Sequence, residues 1–138
     1  MAEHNEIGKI GENMTKTFLM KQGFDILEQN YRIFQGEIDI IAKKDNILHF
    51  VEVKSVKVRD CNDIHNLNVT PEDNLTYAKW SKILIAVGSY LKKHTALHVD
   101  SRDREGPQHQ IDLACVYINP EKREGRVRLL QNIHKERI

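Results

Sequence analysis

The segment that most constrains this chain is residues 36–54, in which two apolar runs flank the dipeptide Asp45-Asn46. Asn and Asp tolerate the positive φ angles that the central residues of a two-residue hairpin turn adopt. The pattern therefore predicts two antiparallel β-strands joined by a tight turn at these two residues. A turn centred there pairs Ile41 with Phe50 and sets the register of every other pair along the two strands.

Charged residues collect at the end of this hairpin away from the turn. The register places Asp39 directly opposite Glu52. It also places Glu37 opposite Lys54, and because side chains alternate along a strand, all four charged groups share one face. The other face is predicted to carry the apolar residues Ile38, Ile40, Val51 and Val53.

Two carboxylates that face each other across a hairpin destabilise an ordinary sheet. At a separation of ~5 Å and an effective dielectric constant of ~20, they repel by about 3 kcal/mol. A divalent cation between Asp39 and Glu52 is the simplest relief for that repulsion. The alternative, a plain surface ion-pair ladder of Glu37 with Lys54, leaves the facing carboxylates unexplained.

Composition and length bound the class of protein. The sequence has 138 residues, of which 40% are hydrophobic and 30% are charged, so we expect one soluble globular domain over 1–138. It contains no apolar run of membrane-spanning length and does not begin with a signal-peptide pattern, so no membrane partner is expected. Cys61 and Cys115 have no CxxC spacing, which fits a reducing cytoplasm better than a disulfide framework.

Hydrophobic periodicity predicts an α/β domain in the order α-β-β-β-α-β, with one mixed sheet flanked by helices. Helices are expected over 6–22 and 77–92, and strands over 24–33, the hairpin, 111–118 and, at an edge, 126–133. Gly8 and Gly11, one turn apart beside Glu12, predict a close backbone approach to the first helix. Polar connections are expected over 57–76 and 101–110, and the first is long enough to be functional or mobile.

The charged end of the hairpin has the composition that phosphodiester hydrolysis requires. Such hydrolysis uses a metal ion to polarise the phosphate and activate a water, and a cation to orient the water or balance charge. Asp39 and Glu52 carry the hard oxygens that Mg²⁺ or Mn²⁺ prefers, and the carbonyl of Val53 can add another. Lys54, on the same face as Glu52, is the candidate cation.

Basic residues lie around this segment although the net charge of the chain is only +1. Lys57, Lys79 and Lys82 are candidate contacts to nucleic acid, because local basic patches bind phosphates even when the total charge is near zero. Solvated surface is the equally simple alternative for each of them.

Other candidate sites carry less weight. His94 and His98 have the spacing of two metal ligands on a helix, but no third ligand accompanies them in sequence. Trp80 could stack on a base, although packing is the commoner role of an aromatic residue at a helix start. Asp112 is interpreted as structural, and Cys115 as a small core residue.

Several motifs together resemble a known family. They are Gly8-Lys9-Ile10-Gly11-Glu12, Gly36 to Ala42 (GEIDIIA), Phe50 to Lys54 (FVEVK), Val69 to Asn74, Lys79 with Ala86 and Tyr90-Leu91, and Ile111-Asp112-Leu113. This set resembles the YraN-like proteins of the PD-(D/E)XK nuclease superfamily, which are related to archaeal Holliday-junction resolvases. The resemblance covers nearly the whole chain.

The resemblance implies a restriction-endonuclease-like fold, with Asp39, Glu52 and Lys54 matching the catalytic residues. Glu12 matches an acid of the first helix that helps to hold the metal, and Lys79 matches a helix position that approaches DNA. It also implies a structure-specific, homodimeric enzyme, because cutting both strands of a junction needs two active sites related by a two-fold axis.

Two functions remain open on the sequence. The first is a Mg²⁺-dependent DNA endonuclease. The alternative is a non-catalytic nucleic-acid- or protein-binding adaptor that retains the fold. An intact set of Asp39, Glu52 and Lys54 favours the enzyme, because an adaptor has no use for the repulsion between the two carboxylates.

Overall fold

The computed structural model describes residues 2–61, 75–95 and 107–134 of the chain. Within these residues it contains two helices and five strands. The helices are α1 (Ala2–Lys21) and α2 (Tyr77–Thr95), and the strands are β1 (Asp25–Ile33), β2 (Gly36–Lys44), β3 (Ile47–Lys57), β4 (His109–Asn119) and β5 (Glu124–Leu130). The predicted order of elements is confirmed, with the expected edge strand present as β5.

The five described strands form one mixed sheet in the order β1-β2-β3-β4-β5. β3 and β4 are parallel, whereas the other three neighbouring pairs are antiparallel. α2 lies between β3 and β4 in sequence, as expected because a parallel pair needs a long crossover connection. The α/β fold class is confirmed, and the arrangement is compatible with a restriction-endonuclease-like core.

The hairpin turn predicted at Asp45-Asn46 is confirmed. Both residues have positive φ, 52° and 64°, and Lys44 pairs with Ile47 on either side of them. These φ angles match the right-handed twist of the flanking strands, which is why such turns favour Asp and Asn. The register runs as predicted from this pair to Ile40 opposite Val51.

The two helices pack on opposite faces of the sheet. Ile41 and Phe50 belong to the core cluster that contains the buried side chains of α2, whereas Ile40 and Val51, their neighbours in sequence, belong to the cluster with Leu19 of α1. The α2 residues in their cluster are Trp80, Ile83, Ala86, Val87 and Tyr90. Trp80 is therefore a packing residue, as the commoner interpretation expects.

The predicted alternation of faces is wrong at one residue of β2. Ile40, Val51 and Val53 pack on the α1 side as expected, but Ile38 packs on the α2 side. The alternation changes where the ladder with β3 ends, at Ile40, and the residues before that point lie against α2, where a Cβ atom on Gly36 would meet the carbonyl oxygen of Lys82.

A second close approach positions α1. A Cβ atom on Gly11 would lie 1.8 Å from the hydroxyl oxygen of Ser55 on β3, whereas nothing lies within 4 Å of one on Gly8. The expected approach therefore occurs at Gly11 and not at Gly8. Gly23, with φ of 90°, follows the end of the helix as predicted.

Three further expectations have a structural outcome. Cys61 and Cys115, which both lie in the described part of the chain, are buried and not joined by a disulfide. No helix of the described ranges is long and apolar enough to cross a membrane. Most of the predicted polar connections, residues 62–74 and 101–106, lies outside the described residues.

Candidate metal centre

The site forms where β2 and β3 separate. Their paired register begins at Ile40 opposite Val51, and beyond that point the Asp39 side chain takes the place of a ladder acceptor: the N–H of Val53 donates a hydrogen bond of 2.8 Å to Oδ2 of Asp39. Asp39 and Glu52 are therefore not paired in the ladder as predicted. Their carboxyl groups are nevertheless neighbours, because the hydrogen bond holds Asp39 beside the residue that follows Glu52.

Glu52 is the buried member of the pair, with 3% of the residue exposed. Its Oε1 accepts a contact of 2.6 Å from Nζ of Lys79 on α2. Its Oε2 is buried and, as a carboxylate oxygen, has no hydrogen-bond partner among the described residues. A buried acceptor left without a partner costs about 1–3 kcal/mol, and more when it is charged.

The pKa values of the two crowded carboxyl groups are both raised. Burial raises the pKa of Glu52 from 4.5 to about 8, and the nearby charge of Asp39 is the next largest cause. Burial also raises the pKa of Asp39, against the opposing effects of the Val53 hydrogen bond and the Lys79 charge. The two groups resist carrying two negative charges together, as the sequence argument expects, and Lys79 supplies part of the relief.

Glu12 joins this cluster from α1. Burial raises its pKa first, and the charge of Asp39 raises it further, which places the two carboxyl groups within electrostatic reach. A hydrogen bond from the Asn30 side chain and the charge of Arg32 lower it again. The close packing of Gly11 on β3 holds this part of the helix near the sheet. The structure therefore places Glu12 within electrostatic reach of Asp39, and Asp39 beside Glu52.

Asn30 and Arg32 on β1 are site residues that sequence reasoning missed. Asn30 has φ of 52° in the middle of a strand, an uncommon conformation for a residue with a side chain. It lies between Gln29 and Tyr31, the partners of the two β2 residues that flank Asp39. An Asn inside a strand pattern is the signal that could have identified it, because strands are depleted in Asn.

The predicted pairing of Glu37 with Lys54 is wrong. Glu37 lies opposite Arg32 on β1 and forms an ion pair with it, at 3.5 Å between Nε and Oε2. The pair forms because the two residues face each other in the β1–β2 ladder, whereas the β2–β3 ladder ends at Ile40. Lys54 is exposed, two residues beyond Glu52 on β3 and therefore on the same face of that strand.

The remaining predicted basic contacts differ in their surroundings. Lys57 at the end of β3 and Lys82 on α2 are exposed. Lys79 is half-buried and forms an ion pair with Glu52, so it belongs to the candidate metal centre.

The donor set fits a divalent cation in its chemistry. Carboxylate oxygens are the ligands that Mg²⁺ and Mn²⁺ prefer, and the unpartnered Oε2 of Glu52 is an acceptor in need of a cation. The side chains are not yet arranged around a common point, since the described ranges contain no group of three His, Cys, Asp or Glu side chains placed to hold an ion.

Nothing in the described residues supports a metal site at His94 and His98. The ring of His94 stacks on Tyr90, with centroids 4.0 Å apart and planes inclined by 25°. His98 lies outside the described residues.

Comparison with known proteins identifies the family. The uncharacterised protein family UPF0102 matches residues 11–116. A UPF0102 protein of Campylobacter fetus is 37% identical over 123 residues, which cover 89% of this chain and 88% of that protein. A UPF0102 protein of Dictyoglomus turgidum is 33% identical over 117 residues, which cover 85% and 86% of the two chains. The chain belongs to the UPF0102 family.

Proposed function

We propose that this protein is a metal-dependent DNA endonuclease of the PD-(D/E)XK superfamily. The observation that carries the proposal is the buried Glu52 carboxyl, crowded by Asp39 and with one oxygen lacking a partner in the described structure. A fold gains nothing from such an arrangement, whereas a cation site needs it. The compatible α/β core and the resemblance of the sequence motifs support the same assignment.

In this proposal Asp39 and Glu52 would hold Mg²⁺ or Mn²⁺, and the carbonyl of Val53 would supply a further ligand. Bound there, the ion would polarise the phosphate and make an attacking water more acidic. Glu12 adds negative charge from the α1 side and helps to hold the ion. The Val53 N–H orients Asp39, so this carboxylate is positioned before the ion arrives.

Lys54 acts on the reacting groups. It is exposed beside Glu52 on the same strand face, where its ammonium group can orient the attacking water or balance negative charge that grows on the phosphate. The exposed Lys57 and Lys82 contact the DNA backbone further from the cleaved bond. We further propose a homodimer acting on a branched DNA structure, with one site for each strand.

The adaptor remains the second candidate, and one observation favours it. The ion pair of Lys79 with Glu52 gives the buried carboxyl a partner without any metal. It satisfies only one of the two oxygens, however, and leaves the repulsion from Asp39 in place.

A cleavage panel tests the two candidates. Linear, flapped, single-stranded and four-way-junction DNA are incubated with Mg²⁺ or Mn²⁺, using the wild type, Glu52→Gln and, as a matched control, Glu37→Gln. The endonuclease cuts at least one substrate, and only Glu52→Gln loses this activity. A wild type that binds DNA without cutting any substrate would support the adaptor.

Calorimetric titration with Mn²⁺ tests the metal centre separately. Asp39→Asn keeps the size of the side chain but removes its negative charge, so it should abolish binding. Equal affinity of Asp39→Asn and the wild type would refute the assignment of Asp39 as a ligand.

A further inference from the structure

The first turn of α2 holds the backbone of Lys79, whose side chain contacts Glu52. The Lys79 N–H donates to the hydroxyl of Thr76 at 3.2 Å, and the Trp80 N–H donates to the Thr76 carbonyl at 2.9 Å, which is the pattern of a helix cap. The buried Trp80 side chain then anchors this turn in the core. The main chain of Lys79 is thereby held in place, and its side chain reaches across to β3.

The ammonium group of Lys79 contacts Glu52 and lies within electrostatic reach of Asp39 and Glu37. Burial lowers the pKa of Lys79, but the hydrogen bond to Glu52 and the charges of Glu52, Asp39 and Glu37 outweigh it and leave the pKa raised. The 2.6 Å contact therefore sets a basic side chain directly against a carboxyl group that the proposed metal would contact.

We propose that Lys79 is a built-in cation that closes the metal centre in the metal-free protein, and that a divalent ion must displace it from Glu52 in order to bind. This inference rests on the proposed function, because it takes Asp39 and Glu52 as the metal ligands. It assigns Lys79 a role in metal entry in addition to its predicted role in DNA contact.

The geometry carries the proposal in two ways. The 2.6 Å contact puts a positive charge on the same carboxyl group that would coordinate the ion, so both cations compete for Glu52. The Lys79 side chain is also 41% exposed, whereas that of Glu52 is 4% exposed. The lysine can therefore swing outward on its flexible stem, while the buried carboxyl remains in place.

When a divalent ion displaces Lys79 from Glu52, the lysine side chain takes a second position. A lysine released from Glu52 stays attached to the first turn of α2 and remains at the edge of the centre. Its charge is then available to a phosphate group of the substrate. Metal binding and DNA contact are thus coupled through one side chain.

Two measurements on the whole chain test this inference. In the first, the side-chain ammonium signals of ¹⁵N-labelled lysines are followed by NMR during titration with Mg²⁺, and the Lys79 signal is assigned from a Lys79→Gln spectrum. The Lys79 signal should shift in step with Mg²⁺ binding, while that of Lys92, exposed in the last turn of α2, should stay unchanged.

In the second, Mn²⁺ affinity is measured by calorimetry for the wild type, Lys79→Gln, Lys79→Arg and Lys92→Gln. The free energy of a partly buried ion pair lies between that of a weak surface pair and that of a strong buried pair. Because Lys79 competes with the ion for Glu52, Lys79→Gln should bind Mn²⁺ about tenfold more tightly than the wild type. Lys79→Arg keeps the positive charge and should bind like the wild type, as should Lys92→Gln.

The outcomes separate this inference from the proposed function. A Lys79 signal that stays constant while Mg²⁺ saturates the protein, or a Lys79→Gln variant that binds Mn²⁺ no more tightly, overturns the closure and leaves the metal centre standing. Failure of both the wild type and Lys79→Gln to bind any ion overturns both. Binding by Lys79→Gln but not by the wild type would be the strongest support for the closure.

Discussion

Two buried carboxyl groups on neighbouring strands have opposite surroundings. Asp112 on β4 is fully buried, and each of its oxygens is hydrogen-bonded. Oδ2 contacts Nδ1 of His49 at 2.6 Å, and Oδ1 accepts from the Gln110 side chain at 2.8 Å and from the Asn132 N–H at 2.9 Å. Glu52 on β3 contacts Lys79 through one oxygen and has the Asp39 carboxyl group as its neighbour, while its other oxygen makes no close hydrogen bond among the described residues.

The difference in partners fits different roles for the two carboxyl groups. The network at Asp112 joins β3, β4 and the segment after β5, and every acceptor in it is satisfied, which is how a buried polar group stabilises a fold. Glu52 is crowded by another acid and is only half satisfied, which costs stability. Glu52 therefore fits the metal site that we propose, whereas the satisfied network of Asp112 supports its interpretation as structural.

The largest expected effect is on the free energy of unfolding when Asp112, the fully hydrogen-bonded carboxyl group, is replaced. Asp112→Ala leaves His49, Gln110 and the Asn132 N–H without their acceptor, so it should lower the free energy of unfolding by about 3 kcal/mol or more. Urea unfolding of metal-free protein measures this change. Glu52→Gln serves as the contrast and should not destabilise the fold. Similar losses in the two variants would break the comparison.

The second largest effect is expected on the rate of DNA cleavage, and it tests the proposed role of Lys54. Removing one charge-stabilising donor typically costs about 100-fold or more, equivalent to roughly 2.7 kcal/mol. Lys54→Ala should therefore lose DNA cleavage while its melting temperature and Mn²⁺ affinity stay near those of the wild type. A variant that cleaves as fast as the wild type would exclude Lys54 from the reaction.

A third effect is on the pH dependence of stability. Because the pKa of Glu52 is raised from 4.5 to about 8, its protonated form stabilises the folded state at low pH, and this contribution is lost as the pH rises through that window. One pKa unit corresponds to about 1.4 kcal/mol, so even half of the shift is worth about 2 kcal/mol.

Urea unfolding in the presence of EDTA, at about pH 5 and about pH 8, measures this contribution. The wild type should lose about 2 kcal/mol more between the two pH values than Glu52→Gln does, because Gln carries no proton to lose. Parallel pH profiles of the two proteins would show that Glu52 is not the group that titrates.

The smallest effect is expected at the exposed acid of the cluster. Glu37 pairs with Arg32 at 3.5 Å, and half of its side chain is exposed, so the pair should contribute at most ~1 kcal/mol to the free energy of unfolding. Thermal unfolding of Glu37→Gln should show a small loss that disappears at high salt. A larger loss would mean that Glu37 belongs with the buried carboxyl groups.

The local elements and the central acids could be predicted from the sequence alone. Asp45-Asn46 specified the turn, periodicity specified both helices, and the spacing from the turn identified Asp39 and Glu52 as neighbours. These signals are local, because turn chemistry and periodicity act over a few residues. Glu12 was identified only through resemblance, since nothing local to α1 indicates that it faces Asp39.

The partners of the acids depend on contacts between segments that are distant in sequence. It alone shows that Gly36 is held against α2, that Asn30 adopts a left-handed conformation, and that Lys79 contacts Glu52. It also shows that His49 satisfies Asp112 while Glu52 remains half satisfied. Burial, hydrogen bonding and the raised pKa of Glu52 depend on which distant segments meet in space, and the energy of a buried charge is set by those neighbours and not by its own sequence.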